Sequence, residues 1–195
     1  DHVGCAHTVA LRHRIPVFMS RGTHVAIGAP DFDGLLQMAH DMVPIDLGTV
    51  CAVPFTVPHD AREPLQLRCT DGASHLGLLT DLGHASPHVL QQLQGCHALL
   101  LEANHDPDML AASGYPAFLK RRIAGVHGHL ANHDAAGILA AVRHTGLNRV
   151  VAAHLSAQNN QPRLAQQALA HALDWPAEGV DIASATAGTD WINVV

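Results

Sequence analysis

The stretch 75-HLGLLTDLGHASPHVLQQLQGCHALLLEANHD-106 contains the clearest structural pattern in the chain. Its two ends, residues 75–82 and 97–103, are rich in aliphatic side chains, which is typical of buried strands. Between them, "SPHVLQQLQG" has a serine N-cap, a proline at the first helical position and a glycine just past the end, which together indicate a helix. The stretch therefore predicts a strand, a helix and a second strand.

The same alternation extends outward in both directions. Further strands are predicted at residues 15–19, 49–57, 65–70, 149–155 and 180–185. Further helices are predicted at residues 2–14, 21–29, 132–146 (capped by Asn132 and ended by Gly146) and 161–173, with two short helical pieces between Pro107 and Arg122. This pattern predicts a mixed α/β fold in which helices cover the sheets, and a single domain over residues 1–195.

The overall composition narrows the class of protein. The chain has 195 residues, of which 48% are hydrophobic and 14% charged, as expected for a globular protein. No apolar run approaches the roughly 18 residues that span a bilayer, and no signal peptide opens the chain, so we expect a cytoplasmic protein without a membrane partner. The net charge of −6 argues against a generally basic nucleic-acid surface. The four cysteines form no C-x-x-C pair, which favours free thiols.

Histidine is in excess, with 17 residues, and imidazole is the commonest protein ligand for divalent metals. Four polar residues end predicted strands or begin the turns after them: His59, Asp81, Glu102 and His154. Each alone would be an ordinary solvated turn residue. Because successive strands deliver their terminal side chains to one rim of a sheet, the four together favour a site for divalent metal.

Several long phrases resemble the WalJ (YycJ) family of metallo-β-lactamase fold hydrolases. They are "VPHDAREP", "GLLTDLGHAS", "CHALLLEANHDPDML", "GYPAFLKRRIAGVHGHLAN" and "VVAAHLSAQNN", in the family's order and approximate spacing. The resemblance implies a four-layer αββα sandwich. It also implies that Asp1 and His2 are the last part of a His-x-His-x-Asp-His motif, so that the first strands and two histidines would precede residue 1 and this chain is N-terminally incomplete.

The resemblance also assigns metal ligands. His59 matches the histidine of the third motif, Asp81 the carboxylate that bridges two metals, and His154 the last histidine. Asp1 and His2 match the pair that serves the second metal, and Asp1 could orient or deprotonate the bridging water. The implied cofactors are two divalent ions, zinc or manganese, since nitrogen and oxygen ligands suit both.

Three further residues near these motifs have more than one interpretation. His84 follows Asp81 by three residues and is either an additional ligand or a support or substrate-binding residue. Related ribonuclease Z enzymes imply that His129 is a catalytic proton donor or phosphate ligand, oriented by Glu102, although His129 could also simply precede the helix. His105 is either a substrate-binding residue or part of a turn.

The basic triplet Lys120, Arg121 and Arg122 lies between the site motifs. It could hold a nucleic-acid backbone, although such a triplet is often only a solvated helix face.

The leading interpretation is a dinuclear-metal phosphodiesterase resembling a 5′-to-3′ DNA exonuclease, with a role in DNA repair or in coupling replication to division. The alternatives are a ribonuclease Z-like RNA processing enzyme, a small-molecule ester, thioester or lactone hydrolase of the same fold, and a non-catalytic remnant. A ribonuclease J type is disfavoured because its large insertion would not fit between Asp81 and His154. The predicted partner is a nucleic acid, DNA first. The residues leave the oligomeric state open, a dimer included.

Overall fold

The structure, a computed structural model, describes residues 3–194 and contains two sheets. The two-stranded sheet pairs β1 (Val17–Met19) with β2 (Leu36–Met38). The seven-stranded sheet has its strands in sequence order: β3 (Ile45–Asp46), β4 (Cys51–Thr56), β5 (Leu65–Thr70), β6 (His75–Leu79), β7 (Ala98–Glu102), β8 (Arg149–Ala153) and β9 (Val180–Ile182). The helices are α1 (Ala6–His13), α2 (Arg21–Ala26), α3 (Pro87–Leu93), α4 (Pro107–Ala112), α5 (Ala117–Ile123), α6 (Asn132–Val142) and α7 (Pro162–Leu173), and a short 3-10 helix covers Ala177–Gly179.

The direction of the strands in the large sheet determines where the site lies. Strands β6 to β9 are parallel, whereas β3 to β6 pair antiparallel, so β4 runs in the same direction as β6. Leu79 at the end of β6 pairs with Leu101, and Glu102 at the end of β7 pairs with Ala153. The carboxyl ends of β4, β6, β7 and β8 therefore lie at the same edge of the sheet.

Helices α3, α6 and α7 cover one face of the large sheet and enclose the main core. Leu99 and Leu101 of β7, Ile138 of α6 and Leu169 of α7 are at most 2% exposed and belong to one cluster. Full burial of one such side chain stabilises a protein by about 1.5–3 kcal/mol. The edge of the sheet that carries the polar strand ends is thus supported by a rigid core.

A smaller apolar cluster lies at the other face. Ala10 of α1, Met19 of β1 and the buried Phe32 pack together, and a cavity of about 290 Å³ separates this unit from Ala52 and Leu67 of the large sheet. The layers follow the order helix, sheet, sheet, helix, as the resemblance implied.

Most predicted elements are confirmed, with three differences. Strands β2 and β3 were not predicted, because they are two or three residues long and depend on pairing with distant strands. The N-cap of α6 is Ala131 rather than Asn132, and the helix ends at Val142 rather than near Gly146. A local turn replaces its predicted last part, in which the Gly146 backbone N–H donates to His144 Nδ1.

No helix among residues 3–194 has the length and apolarity that crossing a membrane would require. The four cysteines are free.

Candidate metal and catalytic site

Five of the predicted site residues meet at the carboxyl edge of the large sheet. His59 follows β4, Asp81 follows β6, Glu102 is the last residue of β7, and His154 follows β8. His129 comes from the loop that precedes α6. These five side chains form one group of contacts around the carboxylates of Glu102 and Asp81.

The backbone at two of these positions is unusual. Asp81 has φ 55° and His154 has φ 56°, in the left-handed region that costs an ordinary residue roughly 1–2 kcal/mol. His154 directly follows β8 and Asp81 lies two residues after the end of β6, where the chain turns away from the sheet. The turn at His154 is held by Asn104, whose Nδ2 donates to the His154 carbonyl oxygen at 2.9 Å. Such strain at two polar residues is typical of a functional site.

The Glu102 carboxylate links the two histidines. It is 0% exposed, and its Oε1 accepts hydrogen bonds from His129 Nδ1 at 2.7 Å and from His154 Nδ1 at 2.9 Å. Its Oε2 accepts from the Leu82 backbone N–H at 3.1 Å. Burial would raise the pKa of Glu102, but the hydrogen bonds from the two histidines outweigh it and lower that pKa below its ordinary value. Glu102 is therefore a buried, ionised acceptor.

These contacts also determine which ring nitrogens are available. Because Glu102 is ionised, His129 and His154 both donate through Nδ1, and their Nε2 atoms remain for a metal or a proton transfer. The hydrogen bond to Glu102 raises the pKa of His154, while burial opposes that rise and the charges of Glu102 and Asp81 add to it. His59 is held similarly, since its Nδ1 lies 3.2 Å from the Gly128 carbonyl oxygen.

The Asp81 carboxylate lies among the three imidazoles. Its Oδ1 is 3.7 Å from His154 Nε2, 3.9 Å from His59 Nε2 and 3.9 Å from His129 Nδ1. One ligand atom each from Asp81, His129 and His154 lies within 4.8 Å of the others, a spacing that could hold a metal ion. One carboxylate with histidines, and no cysteine, is a donor set that fits zinc or manganese.

One predicted ligand among the described residues, His84, is not in this group. Asp1 and His2 lie outside the described residues. His84 is exposed, and its Nδ1 lies 2.8 Å from the Val126 carbonyl oxygen, so the structure gives it a support role for the loop that carries His129. That His84 is an additional metal ligand stays a prediction.

His105, predicted either to bind substrate or to form part of a turn, is buried. It is 3% exposed, burial lowers its pKa, and its backbone pairs with the segment at Ala131. Its role in substrate binding stays a prediction. The neighbouring Asp106 caps α4 by accepting a hydrogen bond from the Met109 backbone N–H.

The three residues of the basic triplet have different surroundings. Lys120 Nζ donates to the Ala111 carbonyl oxygen at 2.6 Å, and Arg121 is exposed on α5. Arg122 Nε donates to Asp60 Oδ2 at 2.6 Å, and the other Asp60 oxygen lies 3.6 Å from His59 Nε2. Only Arg122 is thus connected to the site.

The sequence interpretation did not include Asp60. The hydrogen bond from Arg122 holds the pKa of Asp60 below its ordinary value, although burial opposes this effect. A cavity of about 140 Å³ lies between Asp60, Arg122, Ile123 and His129. The one signal that could have identified Asp60 is its position directly after His59.

Replacement of Gly128 by alanine should displace the loop that presents His129. An alanine Cβ at this position would lie 2.2 Å from the backbone oxygens of both Arg122 and Ile123, far inside normal contact distance. We expect a loss of stability of about 1–3 kcal/mol, which is typical of overpacking, together with weaker metal binding. Urea unfolding and zinc titration would measure the two effects.

Gly137→Ala is the matched control for Gly128→Ala. Gly137 lies in α6, and an alanine Cβ there would have no atom within 4 Å, so this change should raise stability by up to about 1 kcal/mol and leave metal binding unchanged. Wild-type stability and zinc affinity in Gly128→Ala would contradict this account of the loop.

Comparison with known proteins gives consistent relatives. No family model matches the chain. Exodeoxyribonuclease YycJ of Bacillus anthracis is 30% identical over 195 residues, which covers 97% of this chain and 73% of that protein. Exodeoxyribonuclease WalJ of Streptococcus pneumoniae is 31% identical over 187 residues, which covers 93% of this chain and 70% of that protein.

The similar solved structures bear on the fold. The metallo-β-lactamase fold protein YhfI of Bacillus subtilis has a TM-score of 0.69 at 12% identity and covers 94% of this chain and 70% of its own. Zinc-bound PqqB of Methylobacterium extorquens has a TM-score of 0.61 at 14% identity, and the match covers 85% of this chain and 61% of PqqB. A diphosphatase of the PhnP family has a TM-score of 0.57 at 15% identity, with 87% and 55% covered. The predicted metallo-β-lactamase fold is thereby confirmed.

Proposed function

We propose that this protein, which belongs to the YycJ/WalJ family of metallo-β-lactamase fold exodeoxyribonucleases, removes nucleotides from DNA in the 5′-to-3′ direction. Membership of this family makes it a metal-dependent hydrolase of the nuclease and phosphodiesterase type. The substrate is DNA, the cofactors are two divalent ions, zinc or manganese, and the work is done in the cytoplasm in DNA repair or in coupling replication to division. The observation that carries the proposal is the Glu102 carboxylate, which holds His129 and His154 against Asp81.

The metal-binding part of the site is assigned to Asp81, His154 and His59, with Asp1 and His2 serving the second ion. His154 and His59 each direct Nε2 toward Asp81 while Nδ1 is held by the protein, the arrangement usual for metal-binding histidines. A bound divalent ion would supply a water of lowered pKa and would stabilise charge on the phosphate oxygens.

His129 is assigned the proton transfer. Its Nδ1 is committed to Glu102, so Nε2 is the atom that can donate a proton to the leaving oxygen. The Glu102 carboxylate, 2.7 Å from Nδ1, fixes the orientation of the ring. The 24% exposure of the His129 side chain leaves it open to a substrate at the rim of the sheet.

Contacts to the DNA backbone are assigned to the basic residues of α5. Arg122 borders the small cavity beside His129, and a substrate phosphate could compete with Asp60 for its guanidinium group. Lys120 and Arg121 lie on the same short helix and would contact phosphates away from the reacting bond.

The test of the proposal is an assay of the intact protein with zinc or manganese on DNA labelled at either end, on RNA of the same sequence and on a simple ester. We expect mononucleotide release from the 5′ end of DNA, loss of activity on chelation, and at most weak activity on RNA and ester. Preferred cleavage of RNA would favour the ribonuclease Z-like alternative, and cleavage of the ester alone would favour a small-molecule hydrolase. No activity on DNA with either metal would overturn the proposal.

A further inference from the structure

Two buried asparagines connect the loops that carry the site histidines. Asn132 and Asn160 are 4% and 6% exposed. Asn132 Nδ2 donates to Asn160 Oδ1 at 3.0 Å, and Asn160 Nδ2 donates in return to Asn132 Oδ1 at 2.9 Å. Asn160 Nδ2 also donates to the Ala103 carbonyl oxygen at 2.8 Å. We call these two side chains the amide pair.

The amide pair joins three segments, each of which supplies a site residue. Ala103 directly follows Glu102, Asn132 lies on the segment that begins at His129, and Asn160 lies on the segment that begins at His154. The proposed chemistry depends on the relative positions of these three site residues, since both histidines share the same Glu102 oxygen.

Backbone hydrogen bonds place the segment 103–106 between the two histidine loops. The Asn104 N–H donates to the Leu130 carbonyl oxygen at 2.9 Å, and the Asn104 carbonyl oxygen accepts from the Ser156 N–H at 2.8 Å. Segment 103–106 is therefore hydrogen-bonded to both histidine loops, and the amide pair connects the two loops to each other directly through side chains.

The chemistry of the pair requires amides. The two Asn160 Nδ2 hydrogens are both used, and Asn160 Oδ1 accepts from Asn132 and from the Gln161 backbone N–H at 2.8 Å. A carboxylate of the same shape would place acceptor against acceptor, and an aliphatic side chain would leave the buried Ala103 oxygen unpaired, at a cost of about 1–3 kcal/mol. Among side chains of this size, only asparagine satisfies all four contacts.

We propose that the Asn132–Asn160 amide pair is a positioning device, which fixes the positions of His129 and His154 over Glu102 and thereby sets the metal affinity of the site through His154 and the proton transfer through His129. The inference rests on the proposed function only in so far as it takes this group of residues to bind a divalent ion. Neither asparagine contacts the metal or the substrate; both act through the histidine loops.

The test compares Asn160→Asp, Asn132→Asp and the matched control Gln166→Glu in the intact protein. Asn160→Asp loses two donated hydrogen bonds. Asn132→Asp loses one and adds a negative charge in the first turn of α6, which a helix tolerates well. Gln166→Glu removes the same kind of bond, from Gln166 Nε2 to the Val180 carbonyl oxygen, on α7 at a distance from the site histidines in the sequence.

The readouts are zinc affinity by calorimetry with zinc alone, the free energy of unfolding of the metal-free protein, and kcat and KM on DNA. We expect Asn160→Asp to weaken zinc binding about 10–100-fold, the range usual for residues that support metal ligands, and to lower kcat with little change in KM. Asn132→Asp should have a smaller effect of the same kind, and Gln166→Glu should lower stability alone. The negative charge added by aspartate would by itself strengthen zinc binding. Weaker zinc binding in the aspartate variants would therefore show that the histidine loops have moved.

The outcomes separate the two proposals. Wild-type protein that fails to bind zinc or manganese would overturn the proposed function. Wild-type protein that binds zinc, with an Asn160→Asp affinity equal to that of Gln166→Glu, would overturn the positioning role. Failure of both aspartate variants to fold, with Gln166→Glu folded, would also overturn it, because the amides would then serve stability rather than position.

Discussion

Replacement of Asp81 by asparagine is expected to remove metal binding and at least about 10³-fold of the nuclease rate. Asp81 is the carboxylate among three imidazoles, and an amide oxygen in its place carries no charge to offset that of a divalent ion. Loss of a single neutral hydrogen-bond donor in an active site already lowers the rate about 10²–10³-fold. The whole metal-dependent reaction depends on Asp81, so its loss should cost more. Calorimetry with zinc and turnover of end-labelled DNA would measure the two losses.

Asparagine keeps the backbone at position 81 intact, because it tolerates the left-handed conformation observed there. The matched control is Asp71→Asn, in the exposed turn before β6, where the side-chain oxygen can still accept from Ala73 and Ser74. This control should bind zinc and cleave DNA as the wild type does. Zinc affinity within about twofold of wild type in Asp81→Asn would contradict the assignment of Asp81 as a ligand.

Replacement of Glu102 by glutamine should lower kcat by about 10²–10⁴-fold, the range attributed to a general acid or base. A glutamine amide cannot accept from His129, His154 and the Leu82 N–H at once, because one of its two ends carries hydrogens that would face a donor. At least one histidine therefore loses its orientation, and His154 loses the carboxylate whose hydrogen bond raises its pKa. Single-turnover rates and zinc affinity would show which histidine is affected.

Glu178→Gln is a suitable control for Glu102→Gln, since Glu178 is exposed and lies in the short 3-10 helix before β9. A normal zinc affinity with a large fall in kcat would assign the main effect of Glu102 to His129. A fall in both would include His154. Wild-type kcat in Glu102→Gln would contradict the central position given to this carboxylate.

Local sequence patterns were sufficient to predict the main elements and the residues at their ends. The aliphatic runs within β6, β7 and β8 are buried or half-buried in the sheet, and a polar residue stands at or just after the end of each strand. That is why Asp81, Glu102 and His154 could be identified before their neighbours were known.

Contacts between distant segments were not predictable in the same way. Asp60 pairs with Arg122 across 62 positions, and Asn132 pairs with Asn160 across 28. No periodicity marks such a pair, because each partner is an ordinary polar residue until the fold brings the two together. The surroundings of His84 and His105 were likewise not predictable: His84 lies against the Val126 carbonyl oxygen, and His105 is buried.

The sequence by itself determined the class of fold, the order of most of its elements and the carboxylates and imidazoles that stand at the strand ends, since burial of apolar strands and the chemistry of these side chains are properties of local sequence. The tertiary structure alone decided that Glu102 serves two histidines at once, that Arg122 is the basic residue connected to the site, and that two asparagines join the histidine loops. These are matters of distances of a few ångströms between segments far apart in the chain. They arise only when the parallel strands have assembled and delivered their ends to one edge.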